Sequence, residues 1–132
     1  MTAGSSITRP GTRAILLALV LDVVLVIAFA ALGRASHDSD VLGGLWRTAW
    51  PFLAGLAVGW LVTRAWRAPA APLRTGVGVW AATVIGGMLL RAASGQGIAV
   101  PFIIVATLAL LLGLVGWRLI AAQVARGRRG SR

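Results

Sequence analysis

The fold class this chain predicts is an all-α integral membrane protein with four transmembrane helices, and three observations predict it. The 132 residues are 58% hydrophobic, with a mean hydropathy of +0.88. Only 12% are charged, about half of the roughly 25% usual in soluble domains. Four apolar runs, at about 14–33, 46–63, 75–90 and 98–121, match or come close to the roughly 17–25 residues needed to cross a hydrocarbon core of about 30 Å.

Helix 1 follows Arg9 and Arg13, carries Asp22 near its middle and ends at Leu32-Gly33-Arg34. Helix 2 is opened by Ala49-Trp50-Pro51-Phe52 and closed by Gly59-Trp60. Proline suits a helix's first turn, where its missing N–H costs nothing. Helix 3 is the shortest, and Arg91 at its end can snorkel to the interface. Helix 4 is opened by Ala99-Val100-Pro101-Phe102 and carries Gly116-Trp117 near its end. Three short connections and the basic tails 1–13 and 122–132 leave a single domain over 1–132. A rival reading takes helix 1 as a secretory signal with Ala28-Phe29-Ala30 as the cleavage site. Asp22 interrupts its apolar region and the run continues to Leu32, so a retained helix is expected.

Every basic residue is arginine, and the net charge is +10. Ten arginines (Arg9, Arg13, Arg64, Arg67, Arg74, Arg118, Arg126, Arg128, Arg129 and Arg132) fall on one side of the predicted membrane. Arg34, Arg47 and Arg91 fall on the other. Positive loops stay cytoplasmic, so both termini are expected inside a bacterial cytoplasmic membrane. Trp46 and Trp50 at one end of helix 2, and Trp60, Trp66 and Trp117 near the inner ends, read as interfacial indoles. The arginines therefore report topology, and no nucleic-acid partner is expected. The tail Arg126, Arg128, Arg129 and Arg132 is expected to contact anionic lipid, at about 1 kcal/mol per residue.

The two halves echo each other. Leu32-Gly33-Arg34 matches Leu90-Arg91, Trp50-Pro51-Phe52 matches Val100-Pro101-Phe102, and Gly59-Trp60 matches Gly116-Trp117. Two readings stay open, chance likeness between apolar hairpins and a duplication giving parallel-repeat hairpins about an axis along the membrane normal. Asp22, Gly33-Arg34 with His37, Trp50-Pro51-Phe52 with Gly55 and Trp60, Gly86-Gly87-Met88-Leu89-Leu90-Arg91 with Gly95, and Pro101-Phe102 together carry a resemblance. Over roughly residues 14–120 the chain is similar to the four-helix membrane proteins grouped as domain of unknown function 3054. That resemblance implies a fold and a location but no activity.

Helices in lipid associate through small residues that let backbones approach. Gly55 and Gly59 on helix 2, Gly78 and Gly86 on helix 3, and Gly113 with Ala109 on helix 4 are the candidate packing residues. Ala14, Ala18 and Asp22 share one stripe of helix 1, which turns the carboxyl inward. A charge at bilayer depth costs at least about 2.5–3.5 kcal/mol, so a partner or a function must offset it. Thr83 and Thr107 lie at matching depth, with Trp80 one turn away as a donor, and the four residues form the candidate intramembrane site. The alternative for each threonine is a bond to its own i−4 carbonyl. With every arginine counted at a segment end, Asp22 is expected without a cation, neutral and donating to Thr83 or Thr107. Outside the predicted membrane, Arg34, His37, Asp38 and Arg91 make a polar cluster for which solvated pairing is expected rather than a metal.

No Cys, no Tyr and a single His argue against an enzyme, and no cofactor is expected. A proton- or small-solute-linked transport role centred on Asp22 is the first expectation, and a homodimer would supply the further helices it needs. The alternative is a structural or accessory subunit that packs with itself or with a larger membrane partner. A water-reachable cavity at Asp22 would favour the first, and a sealed, fully bonded carboxylate the second.

Overall fold

The computed structural model describes residues 9–35 and 40–131, and all its regular elements are helical. Helix α1 spans Thr12–Ala35 and α2 spans Val41–Thr63. Helix α3 begins with a π turn, Pro72–Gly76, and continues as an α-helix over Val77–Ala93. Helix α4 runs over Val100–Gly130, as α-helix to Leu110, a π turn over Leu111–Val115, and α-helix from Gly116. Three of the four, Thr12–Arg34 within α1, Pro72–Ala93 and Val100–Gly130, are long and apolar enough to cross a membrane.

The boundaries have local causes. Asp40 caps α2, its carboxylate accepting from the Gly43 amide at 3.1 Å, so the helix starts five residues before the predicted Trp46. Pro51 consequently lies inside α2 rather than in its first turn, where it forfeits one backbone bond. The turn between α3 and α4 contains Gly95 and Gly97 at φ +74° and +83°, a backbone region only glycine enters freely. Arg91 braces this turn through Gln96 and the Gly97 carbonyl. The largest boundary difference is in α4, which continues to Gly130 rather than ending near 121, so most of the predicted tail is exposed helix.

The helices close a ring, with α4 packed against both α1 and α3. Phe52, Leu56, Val26, Val79, Leu110 and Leu114 fill its centre. The α2–α3 pair is the tightest, and its glycines explain why. A Cβ on Gly55 would meet the Thr83 carbonyl at 2.9 Å, and one on Gly59 would meet the Val79 Cα at 3.1 Å. Gly86 faces the Gly55 Cα, and Gly78 faces the Thr63 side chain. Backbones this close are what small-residue stripes allow. Gly113 differs, since its nearest neighbour would be Leu25 at an ordinary 3.7 Å. There the small residues leave a groove rather than a close approach.

Candidate functional site

On α1, Ala18, Asp22, Val26 and Ala30 are buried at a strict four-residue spacing, so the carboxylate lies on the packing face. It is fully enclosed, at 0% exposure. Its partner is Arg118 of α4, equally buried. The guanidinium grips the carboxylate with a two-nitrogen fork, Nη1 to Oδ1 at 2.9 Å and Nη2 to Oδ2 at 2.7 Å. Two indoles complete the set. Trp60 Nε1 of α2 donates to Oδ2 at 2.9 Å, and Trp117 Nε1 of α4 donates to Oδ1 at 2.8 Å. A carboxylate offers about four acceptor positions, and all four are taken by N–H donors.

Arg118 is itself held. Its Nε donates to the Pro69 carbonyl at 2.8 Å, and Nη1 donates to the Leu114 carbonyl at 2.7 Å. The guanidinium also lies 4.5 Å from the Trp117 ring centroid. One side-chain pair thus joins α1, α2, α4 and the α2–α3 connection. No buried side-chain polar atom among the described residues lacks a partner.

The π turns explain how Arg118 reaches this position. Buried Ala106, Leu110, Leu114 and Arg118 recur every four residues along α4. In a regular α-helix a four-residue step overshoots a turn by about 40°, so three steps drift about 120°. A π turn holds one extra residue per turn and takes back about 100° of that drift. Leu111–Val115 lies within this stripe and reduces its drift, whereas α1 carries its own stripe from Ala18 to Ala30 as regular α-helix. The second π turn, Pro72–Gly76, brings Gly76 beside the arginine, where a Cβ would stand 3.0 Å from the Arg118 Cδ.

The remaining expectations resolve residue by residue. The expectation of an Asp22 without a cation is corrected by the fork from Arg118, which is buried in the bundle rather than flanking the segment. Thr83 does not bond Asp22; its hydroxyl donates to the Val79 carbonyl of its own helix at 2.7 Å. Thr107 likewise donates to Ile103 at 2.6 Å. Both follow the i−4 alternative. Trp80 donates to the Thr107 backbone carbonyl at 2.9 Å, tying α3 to α4 away from the carboxylate. Trp60 and Trp117 donate to the buried pair, while Trp46 and Trp66 are exposed. At the opposite end, Arg34 donates to the Asp40 carbonyl and to Thr48, and Arg91 to Gln96 and Gly97. His37 and Asp38 lie outside the described residues.

Sequence reasoning missed Arg118, Trp60 and Trp117 as site residues. One signal was present. Arg118 is followed by Leu119, Ile120, Ala121 and Ala122, so it interrupts an apolar run instead of ending one. Residues matched between the two halves also meet in space: Trp60 and Trp117 share one carboxylate, and the Phe52 and Phe102 rings lie tilted with centroids 6.1 Å apart.

Comparison with curated proteins and with solved structures gave no match. A family does match, over residues 19–121, which reach from just before Asp22 to just past Arg118. The chain belongs to DUF3054, a family of proteins of unknown function.

Proposed function

We propose that this is a multi-pass protein of the bacterial cytoplasmic membrane, non-enzymatic, in which Asp22 and Arg118 form a sealed structural clamp and the chain acts as a structural or accessory subunit. Membrane insertion is supported by apolar surface that the fold leaves outside. Only 22–28% of each of the three membrane-length windows is buried, and Leu16, Leu17, Val20, Leu61, Leu89, Val105 and Leu112 all face outward. The charge is distributed to match. Arg118 leaves the flanking count, and nine arginines remain at the end carrying both termini against three at the other. That bias favours cytoplasmic termini.

One observation carries the clamp. Asp22 is fully buried with every acceptor position filled, and neither of the two cavities described below is lined by it. Breaking a buried ion pair is strongly unfavourable because an uncompensated charge is left behind, which suits an element meant to hold helices together. Transport centred on Asp22 is the competing reading. The π turns beside Arg118 favour it, because such turns often mark functional sites.

The absence of cysteine makes a direct test simple. Val26→Cys and Ala18→Cys place a thiol one turn to either side of Asp22 without touching the clamp. In reconstituted bilayers neither thiol is expected to react with a charged methanethiosulfonate reagent from either side. Rapid labelling at either position would reveal a water path to Asp22 and overturn the clamp in favour of transport.

A further inference from the structure

A cavity of about 360 Å³ opens at the end of the bundle opposite the termini. Its walls include Arg34 of α1, Thr48 of α2, Arg91 of α3 and Gln96 of the following turn, over a floor of Phe29 and Phe102. Among the described residues, every hydrogen bond of the two guanidiniums ends on a neutral oxygen. These are the Asp40 backbone carbonyl and the Thr48 hydroxyl for Arg34, and Gln96 and Gly97 for Arg91. Arg91 also lies 4.3 Å above the Phe102 ring. The Asp40 carboxylate is turned to the Gly43 amide as a helix cap. Two guanidiniums therefore line one cavity, a setting suited to an anion.

A second cavity, of about 330 Å³, continues from the first along the α1–α4 seam and shares Phe29 and Gly33 with it. Leu25, Ala109, Leu110 and Gly113 are among its lining residues, all of which are apolar. A charged cup opening into an apolar groove has the shape of an amphiphile. We propose that the cup holds the phosphate of an anionic phospholipid and that the α1–α4 groove holds one of its acyl chains. Guanidinium forks suit phosphate oxygens, and basic recesses between membrane helices recognise lipid headgroups. The proposal rests on the membrane reading above and is distinct from contact between lipid and the C-terminal arginines.

The test uses the full chain, purified in mild detergent and exposed to lipid, with bound lipid counted by native mass spectrometry. Phosphatidylglycerol is expected to be retained at least about tenfold better than phosphatidylcholine, as expected if two arginines read the net charge. Arg34→Gln with Arg91→Gln is expected to abolish that preference, whereas Arg126→Gln, Arg128→Gln and Arg129→Gln together are expected to leave it intact. Ala28→Phe fills the groove while keeping both arginines, and is expected to weaken retention on its own. Equal retention of the two lipids, a preference that follows the tail arginines, or an Ala28→Phe variant that binds normally would overturn the proposal. Inorganic phosphate that competes fully at millimolar concentration would also overturn it, by showing an anion site with no use for the groove. Failure of the membrane reading is separable, because the chain would then appear in the soluble fraction of cells.

Discussion

Asp22→Asn is the perturbation whose consequences the structure specifies most fully. The amide keeps the side chain's shape but removes its charge and turns one acceptor oxygen into a donor. Arg118 and one of the two indoles then face an N–H instead of an oxygen. Taking about 4 Å between charge centres and an effective dielectric constant near 20, the lost attraction is about 4 kcal/mol. The general cost of leaving one partner of a buried pair uncompensated, about 3–5 kcal/mol, gives the same answer. Arg118→Gln removes the other charge and is expected to cost as much. The double variant leaves no orphaned charge, so it should be less than additive, with a coupling energy of about 2–3 kcal/mol, near the top of the range for residues in contact. The assay is unfolding in mixed detergent micelles, titrated with dodecyl sulfate and followed by fluorescence, since Trp60 and Trp117 sit on the pair. Single variants costing less than about 1 kcal/mol, or a double variant additive within the roughly 0.5 kcal/mol typical of independent sites, would show that the pair does not hold the helices together.

Two further outcomes follow from the helix geometry. Deleting Leu112, which is exposed within the π turn, should restore a regular α-helix and rotate Trp117 and Arg118 by about 100°. The deletion is expected to destabilise as much as Arg118→Gln in the same titration, and a variant as stable as wild type would show that the turn does not position the arginine. Gly55→Ala is expected to cost about 1–3 kcal/mol through overpacking against the Thr83 carbonyl. Gly113→Ala meets only Leu25 at 3.7 Å and should change stability by no more than about 0.5 kcal/mol. A reversed order would show that α2–α3 contact is looser than described.

Much of the fold is legible because membrane-length apolar runs and small-residue spacing are local signals. Gly55, Gly59, Gly78 and Gly86 could be assigned to packing from their spacing alone, and the Ser94–Gly97 turn from its glycines. The inward direction of Asp22 followed from a single stripe on α1. Its partners did not follow, for three physical reasons. Arg118 lies close enough to the end of the predicted fourth helix, at 121, to be counted with the flanking arginines. Arginine and tryptophan also suit membrane interfaces, so residue type alone does not separate Trp60, Trp117 and Arg118 from flanking residues. Finally, matching Thr83 and Thr107 to Asp22 by depth ignored which way each helix face turned, and both hydroxyls are satisfied within their own turns.

The enclosed pair of a carboxylate on α1 and a guanidinium on α4 can be measured directly by solid-state NMR in bilayers. Only three aspartates are present, so carboxyl-13C aspartate and guanidinium-15N arginine give a sparse set of carbon–nitrogen couplings. Strong dipolar dephasing of one aspartate signal is expected, since both carboxylate oxygens meet one guanidinium at N–O distances of 2.7 Å and 2.9 Å, and it is expected to disappear in Asp22→Asn. An Asp22 signal with no coupling to arginine nitrogen would show that the two groups are not paired.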